Sequence, residues 1–340
     1  MPRAAPDRVR APPGSALPPR AVPRGGARAP RRGFRPASSP STACYRRRSR
    51  RAPSVRRADP IVNDRIDPAV PCVPIPAGLA AALATANRVV ALTGAGVSAE
   101  SGVPTFRDAL SGLWARYDPL ELATPSAFER NPKLVWDWYA SRRESLRTVS
   151  PNPGHHALVD IERRAPSFLL ATQNVDGLHA RAGSRALVEL HGNLARVRCS
   201  REGRVVERWD EPDGNDPAAP PRCPQCGAFL RPDVVWFEEA LPADALERAD
   251  DAARHCDLMI VAGTSAEVYP AAELPRTAMA AGAVVVEVNP GETPLTRLAA
   301  YAIAARSGVA LPALVAAAWP VHTFGPGAES SSPRAGGGAK

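Results

Sequence analysis

Four groups of residues have types and spacings that could do chemistry. Gly94-Ala95-Gly96 directly follows the apolar run Arg88-Val-Val-Ala-Leu-Thr93. Glycines there would let a backbone approach a pyrophosphate, and the first amides of a following helix would stabilise its charge. The spacing departs from G-x-G-x-x-G, because Ala99 holds the third position and the next glycine is Gly102. The glycines of an ordinary tight turn are the alternative reading. Imidazole has an ordinary pKa near neutrality, so by residue type His155, His156, His179 and His191 could each act as a general base. Tyr139 and Arg142 lie in Trp136-Asp-Trp-Tyr-Ala-Ser-Arg-Arg143, and a spacing of three puts both on one helix face. A phenol and a guanidinium fork together suit a carboxylate; an aromatic helix face with a solvated Arg is the alternative. Cys223-Pro-Gln-Cys226 has the knuckle spacing of a tetrahedral zinc site, with Gly227 after it.

Apolar runs predict the elements that must position these groups. Strands are expected at Arg88 to Thr93, Ser167 to Thr172, Leu187 to Leu190, Leu258 to Gly263 and Val284 to Asn289. Helices are expected over Leu79 to Ala86, around Phe128 to Val149, and over Ala243 to His255 and Ala271 to Ala281. Strands alternating with helices predict an α/β fold, a doubly wound, Rossmann-like parallel sheet with helices on both faces. Val197 to Pro232 breaks the rhythm with Cys, Pro and Gly and little core, so it reads as a small inserted module, zinc-ribbon-like or helical. Gly94 and Gly263 then fall at carboxyl ends of strands, where such sheets bind ligands.

The glycine turn continues without a gap into Ser98-Ala-Glu-Ser-Gly-Val-Pro-Thr-Phe-Arg107. Thr172-Gln-Asn-Val-Asp-Gly-Leu-His179, His191-Gly-Asn193, Gly263-Thr-Ser265 and Asn289 follow in turn. With these five separated motifs in family order, the chain resembles the sirtuins, NAD-dependent lysine deacylases, over about residues 79 to 320.

The resemblance implies that NAD is bound, that its nicotinamide–ribose bond is cleaved, and that the acyl group passes from lysine to the ribose. Gly94, Ala95, Gly96, Ser98 and the loop Thr105-Phe106-Arg107 would surround the cofactor, Phe106 covering the face that nicotinamide vacates. Gln173, Asn174, Val175 and Asp176 would line the nicotinamide and ribose pocket. Gly263, Thr264 and Ser265 would bind the cofactor at the carboxyl edge of the sheet, Asn289, followed by Pro290 and Gly291, would read the adenosine ribose, and Ser307 would be a further adenine-side candidate. His191, in Glu189-Leu-His-Gly-Asn193, would be the general base that deprotonates a ribose hydroxyl, and the sugar oxygen would then attack the imidate. Tyr139 and Arg142 match the Tyr-x-x-Arg pair of class III sirtuins, which reads succinyl and malonyl chains. Val235, Trp236 and Phe237 would pair with the substrate peptide as an added strand, although Glu238 stands where the family usually has Gly. A structural zinc would take Cys199, Cys223 and Cys226, but Arg201 and Glu202 occupy the place of the second cysteine of the first pair. Glu202 could ligate through oxygen, water could complete the site, or the module has lost its metal.

The rest of the chain bounds these readings. Residues 1–60 hold sixteen Arg, no Lys and two acids, Asp7 and Asp59, so of the formal +9 they carry +14 and the remainder carries −5. Residues 1–75 are rich in Pro, Arg, Ala and Gly without apolar periodicity and read as a disordered extension. The run Arg46 to Arg51 could pair with phosphates, the segment could be an organellar transit peptide, or it is a solvated extension. Nucleic acid is expected as a partner only through this tail. Residues 76–323 would form the deacylase domain, and 324–340 a loose Gly/Ser-rich tail. No apolar run reaches the ~18 residues of a membrane span, and no apolar h-region marks a secretory signal. With six Cys and only Cys223 and Cys226 close together, a reducing cytoplasm and a metal site are expected rather than a disulfide framework.

The expected function is NAD-dependent removal of succinyl and malonyl groups, and of acetyl, from lysines of protein substrates, giving nicotinamide and 2′-O-acyl-ADP-ribose. Mono-ADP-ribosyl transfer and a non-catalytic, NAD-responsive binding protein are the alternatives.

Overall fold

The computed structural model describes residues 73–104, 119–209 and 219–320. The expected extension (apart from 73–75), the C-terminal tail, and Thr105, Phe106 and Arg107 lie outside them.

Helix α1 (Ala77–Thr85) leads into β1 (Arg88–Thr93) and the single turn α2 (Gly96–Ala99). Helices α3 (Pro125–Arg130), α4 (Pro132–Leu146) and α5 (Pro153–Arg164) precede β2 (Ser167–Thr172), α6 (Leu178–Ala182) and β3 (Leu187–Glu189). Strands β4 (Gly192–Cys199) and β5 (Leu230–Val234) come next, then α7 (Ala243–His255) and β6 (Leu258–Ala262). The chain closes with α8 (Leu274–Ala280), β7 (Val284–Val288), β8 (Tyr301–Ile303) and α9 (Ser307–Ala318).

Where one helix was expected around Phe128 to Val149, two form. Asn131 ends α3 and caps α4, its side chain accepting from the Leu134 N–H at 3.1 Å. Pro132 then occupies the first turn, where its missing N–H costs nothing, and it holds Asn131 outside the helical region. Thr124 and Asn152 cap α3 and α5 in the same way, each followed by Pro.

Six strands form one parallel sheet in the order β3-β2-β1-β6-β7-β8. The chain winds outward from β1 through β2 and β3, then returns to the other side of β1 and winds outward through β6, β7 and β8. Side chains alternate between two cores. Val89 and Ala91 of β1 meet Leu79, Leu158, Leu311 and Leu314 from α1, α5 and α9. Val90 and Leu92 meet Ala249, Ala253, Leu274 and Ala278 from α7 and α8 on the opposite face. Burying each such leucine contributes roughly 1.5–3 kcal/mol. The doubly wound architecture is therefore the one expected. β8 was not, because Tyr301-Ala-Ile303 is only three residues long and is embedded in the Ala-rich run Leu298 to Ala305, which gives it no bounds of its own.

The second sheet is the antiparallel pair β4 and β5, which starts at Gly192. Phe128, Val135 and Tyr139 from α3 and α4 pack on Leu194, Val234 and Trp236. Helices that precede β2 in sequence thus complete the small module. No helix among the described residues is long and apolar enough to cross a membrane.

Candidate active site

The winding reverses between β1 and β6, and the loops after these strands meet there. Gly94 N–H donates to the Ala262 carbonyl at 3.0 Å, and Gly96 N–H to the Gly263 carbonyl at 2.8 Å. A Cβ on Gly96 would lie 2.8 Å from Gly263 Cα, and one on Gly263, whose φ is 61°, would lie 2.4 Å from Val97 N. The glycines are needed because two backbones cross at contact distance. This packing reason stands alongside the ligand-approach reason drawn from the sequence, and α2 extends only one turn beyond it.

A chain of polar side chains is buried along the same edge. Asn174 Nδ2 donates to Ser98 Oγ at 3.2 Å, and Ser98 Oγ lies 3.4 Å from His155 Nε2. Thr93 Oγ1 donates to Thr172 Oγ1 at 2.8 Å and lies 2.9 Å from His179 Nε2. Thr172 Oγ1 accepts from the Asn174 N–H at 3.0 Å. Gln173 Nε2 donates to Thr264 Oγ1 at 2.9 Å, and Asn289 Nδ2 to the Thr264 carbonyl at 2.8 Å. The structure thus joins Ser98, Gln173, Asn174, Thr264 and Asn289 from four separate strand ends. Ser265, Pro290 and Gly291 continue those loops, and Ser307 is buried at the first turn of α9. Thr93 and Thr172 were not anticipated. They are the polar last residues of two apolar strands, and that pattern is their signal.

His155 and His179 serve this scaffold, their rings 4.8 Å apart. Burial lowers His155 to about 4 and His179 to about 3, and a neighbouring histidine lowers each further, His156 for His155 and His155 for His179. Both stay neutral in the fold but charge once unfolded, so the unfolded chain binds more protons below the ordinary imidazole pKa of about 6.5. Stability should hold above about pH 6.5 and fall as pH drops toward the two folded-state values. His179→Gln removes one such proton, so it should flatten the acid slope by about 1.4 kcal/mol per pH unit. Urea unfolding at about pH 6.5, 5.5 and 4.5 reads that slope directly, and an unchanged slope would refute the assignment.

His191 lies between β3 and β4, and its carbonyl accepts the Val235 N–H at 2.9 Å. Its Nδ1 is buried with no hydrogen-bond partner among the described residues. Burial lowers its pKa below the usual imidazole value, and the Gln173 backbone opposes the shift. Asp176 accepts the Leu178 N–H at 2.8 Å, and burial raises its pKa against that bond and a hydrogen bond from Ser98. Val175 gives its carbonyl to the Leu194 N–H at 2.8 Å, tying this loop to the small module.

Tyr139 and Arg142 share the face of α4 turned toward β5. Trp236 Nε1 donates to the Tyr139 hydroxyl at 3.1 Å. Burial pushes that phenol up to about 12, so it keeps its proton. Arg142 stands 4.9 Å over the Trp138 ring, and the fields of Tyr139 and Asp176 act on its guanidinium. Behind Trp236, Arg231 stacks at 3.3 Å from its ring centroid and makes a two-pronged pair with Glu239 at 2.6 and 2.9 Å. Glu239 also accepts the Trp236 N–H at 2.8 Å. Sequence reasoning missed Arg231 and Glu239, whose pairing spans a turn with no motif of its own. Phe237 is exposed, and its N–H donates to the Ala123 carbonyl at 2.9 Å. Glu238 has φ 71°, the left-handed region that favours glycine.

Cys199, Cys223 and Cys226 come together with their sulfurs within 4.8 Å of one another. Cys256 is separate, buried beside β6.

The profile of the Sir2 family matches residues 94–270, from the glycine turn to the loop beyond β6. An NAD-dependent protein deacylase of Thermus thermophilus is 58% identical over 221 residues, 64% of this chain and 85% of the relative. A crystal structure of a Sir2 homolog–NAD complex is 46% identical with a TM-score of 0.67, covering 72% of this chain and 93% of that one. A structure of Sir2 bound to acetylated peptide is 33% identical with a TM-score of 0.60, covering 68% and 92%. With the profile spanning the loops after β1, β2 and β6 that carry Ser98, Asn174 and Thr264, and relatives matched over most of their length, the chain belongs to the Sir2, or sirtuin, family.

Proposed function

We propose that this protein is an NAD-dependent protein-lysine deacylase that prefers acyl groups ending in a carboxylate, succinyl and malonyl, and retains deacetylation. The preference rests on one observation. Tyr139 accepts from Trp236 within a buried aromatic cluster, Arg142 stands over the adjoining Trp138 ring, and Trp236 lies in the segment after β5 whose Val235 N–H bonds to the His191 carbonyl.

The residues at the sheet edge fit NAD. They offer the orphaned imidazole nitrogen of His191, the side-chain amides of Gln173 and Asn174, and the Asp176 carboxyl, grouped at the reversal of the winding. Bound NAD supplies the electrophilic ribose carbon and nicotinamide as the leaving group. His191, neutral at pH 7 because burial lowers its pKa, takes the proton from a ribose hydroxyl. Asn174 and Asp176 orient the ribose, held in turn by Ser98 and the Leu178 N–H. The Thr264 and Asn289 loops carry the adenosine side.

Val235, Trp236 and Phe237 align the acylated peptide. All three of their N–H groups already bond within the protein, and the Trp236 carbonyl accepts the Glu239 N–H at 3.2 Å, so peptide pairing falls first to the Val235 and Phe237 carbonyls. We place the protein in the cytoplasm, a reducing compartment that would keep Cys199, Cys223, Cys226 and Cys256 out of disulfides.

Acetyl-, malonyl- and succinyl-lysine peptides with NAD test the reading by kcat/KM and product mass. The expected result is 2′-O-acyl-ADP-ribose with succinyl or malonyl favoured. A protein gaining ADP-ribose would point to mono-ADP-ribosyl transfer instead, and absence of nicotinamide release would point to a non-catalytic binding protein.

A further inference from the structure

The small module contains two turns built to one plan. Antiparallel bridges Arg198 to Val205 and Arg222 to Phe229 close loops of equal length. Inside each, the first cysteine donates its N–H to the residue five positions on, Cys199 to Arg204 at 2.9 Å and Cys223 to Ala228 at 2.7 Å. Each cysteine carbonyl then accepts a glycine N–H, from Gly203 and from Gly227, both at 2.9 Å. Those glycines have φ of 70° and 71°. Register between the turns is therefore fixed residue by residue, and it sets Glu202 opposite Cys226.

The side chains converge accordingly. Cys199 Sγ and Cys226 Sγ are 3.4 Å apart, and all three sulfurs lie within 4.8 Å. Thiolates sharing one tetrahedral zinc at about 2.3 Å would sit about 3.8 Å apart, so the trio needs little adjustment. The Glu202 N–H points at Cys199 Sγ at 3.5 Å, which holds this residue beside the three sulfurs. Arg204 completes the arrangement, giving Nε to the Glu202 carboxylate at 2.7 Å and Nη2 to Cys223 Sγ at 3.4 Å.

We infer that Cys199, Cys223 and Cys226 hold a zinc ion whose fourth ligand is the Glu202 carboxylate, and that Arg204 positions that carboxylate and offsets the site's negative charge. A carboxylate oxygen can approach zinc to about 2.0–2.2 Å, and its partner Arg204 acts as an outer-shell group of the kind that fixes ligand orientation. The ion joins the two turns under the core of Trp136, Val197 and Leu230. With one hard ligand at a partly exposed corner, the site exchanges metal more readily than one with four thiolates.

The test uses the full-length chain, purified with a thiol reductant. Metal content per chain is measured by elemental mass spectrometry, zinc affinity by chelator competition, and cobalt coordination by absorption after exchange. The expected wild-type result is one zinc per chain and a tetrahedral cobalt spectrum. Glu202→Ala should weaken zinc by at least the 10–100-fold loss that follows removal of an outer-shell partner. Glu202→Cys should bind more tightly than wild type and add thiolate-to-cobalt charge-transfer intensity. Because Glu202 is exposed, circular dichroism should show both variants folded. Wild-type protein that takes up neither metal overturns the proposal, as does Glu202→Ala holding zinc as tightly as wild type.

Discussion

Replacing His191 with Gln should lower NAD-dependent deacylation by on the order of 10²–10⁴-fold, the usual worth of a positioned general base. Gln keeps much of the volume and hydrogen-bonding capacity but cannot accept a proton near neutral pH. The fold should survive, since the structural link at this position is the His191 carbonyl to Val235, which the substitution leaves in place. The wild-type pH profile should supply the second half of the evidence. Burial lowers the His191 pKa, so the neutral, proton-accepting form persists below the ordinary imidazole value. The acid limb of kcat/KM should therefore fall below about pH 6.5, and activity should rise with pH through it. Steady-state rates across the range from about pH 5 to 9, with circular dichroism of both proteins, check this. A Gln variant within a few fold of wild type would remove His191 from the proton-transfer role.

The sequence exposed the sheet well and its edges less well. Continuous apolar runs of five or six residues such as Arg88 to Thr93 are too short for core helices and read as buried parallel strands, so β1, β2 and β6 were legible almost to the residue. β8 was not, because an edge strand of three residues has no period to display. The expected long helix divided at Asn131-Pro132, where local capping chemistry outweighs a continuing helical pattern.

The site divided in the same way. Motif residues such as Ser98, Asn174 and His191 could be named because each sits in a short conspicuous run. Their supports could not. Thr93 and Thr172 meet across neighbouring strands, and Arg231 reaches Glu239 behind Trp236. Such pairings exist only once the chain has folded. The glycines show the same effect: Gly94 and Gly96 looked like ligand-facing residues, yet Gly263, far along the chain, is what presses against them. Equivalence between Glu202 and Cys226 likewise rests on backbone register, which two unlike side chains hide.

Arg142→Met should cut kcat/KM for succinyl- and malonyl-lysine peptides by about 10²-fold while leaving the acetyl peptide within a few fold. A hydrogen bond to a charged group contributes about 1.5–3 kcal/mol, and a guanidinium fork can bind a carboxylate through two. Met keeps an unbranched apolar chain of similar reach and removes the guanidinium that stands over Trp138. The acetyl group has no carboxylate for Arg142 to bind, so that peptide reports whether the rest of the site is intact. Tyr139→Phe is the less clean probe. It would leave the buried Trp236 indole N–H without its acceptor, at a cost of about 1–3 kcal/mol in stability. Folding and recognition would then change together. The Asp176 carboxyl also acts on Arg142, so part of the Arg142→Met effect could pass to the ribose pocket and lower both substrates alike. Comparing the two peptides in one preparation separates these routes. Selective loss of the succinyl and malonyl rates places the carboxylate on Arg142, whereas equal loss of all rates would show that Arg142 supports Asp176 and does not read the acyl chain.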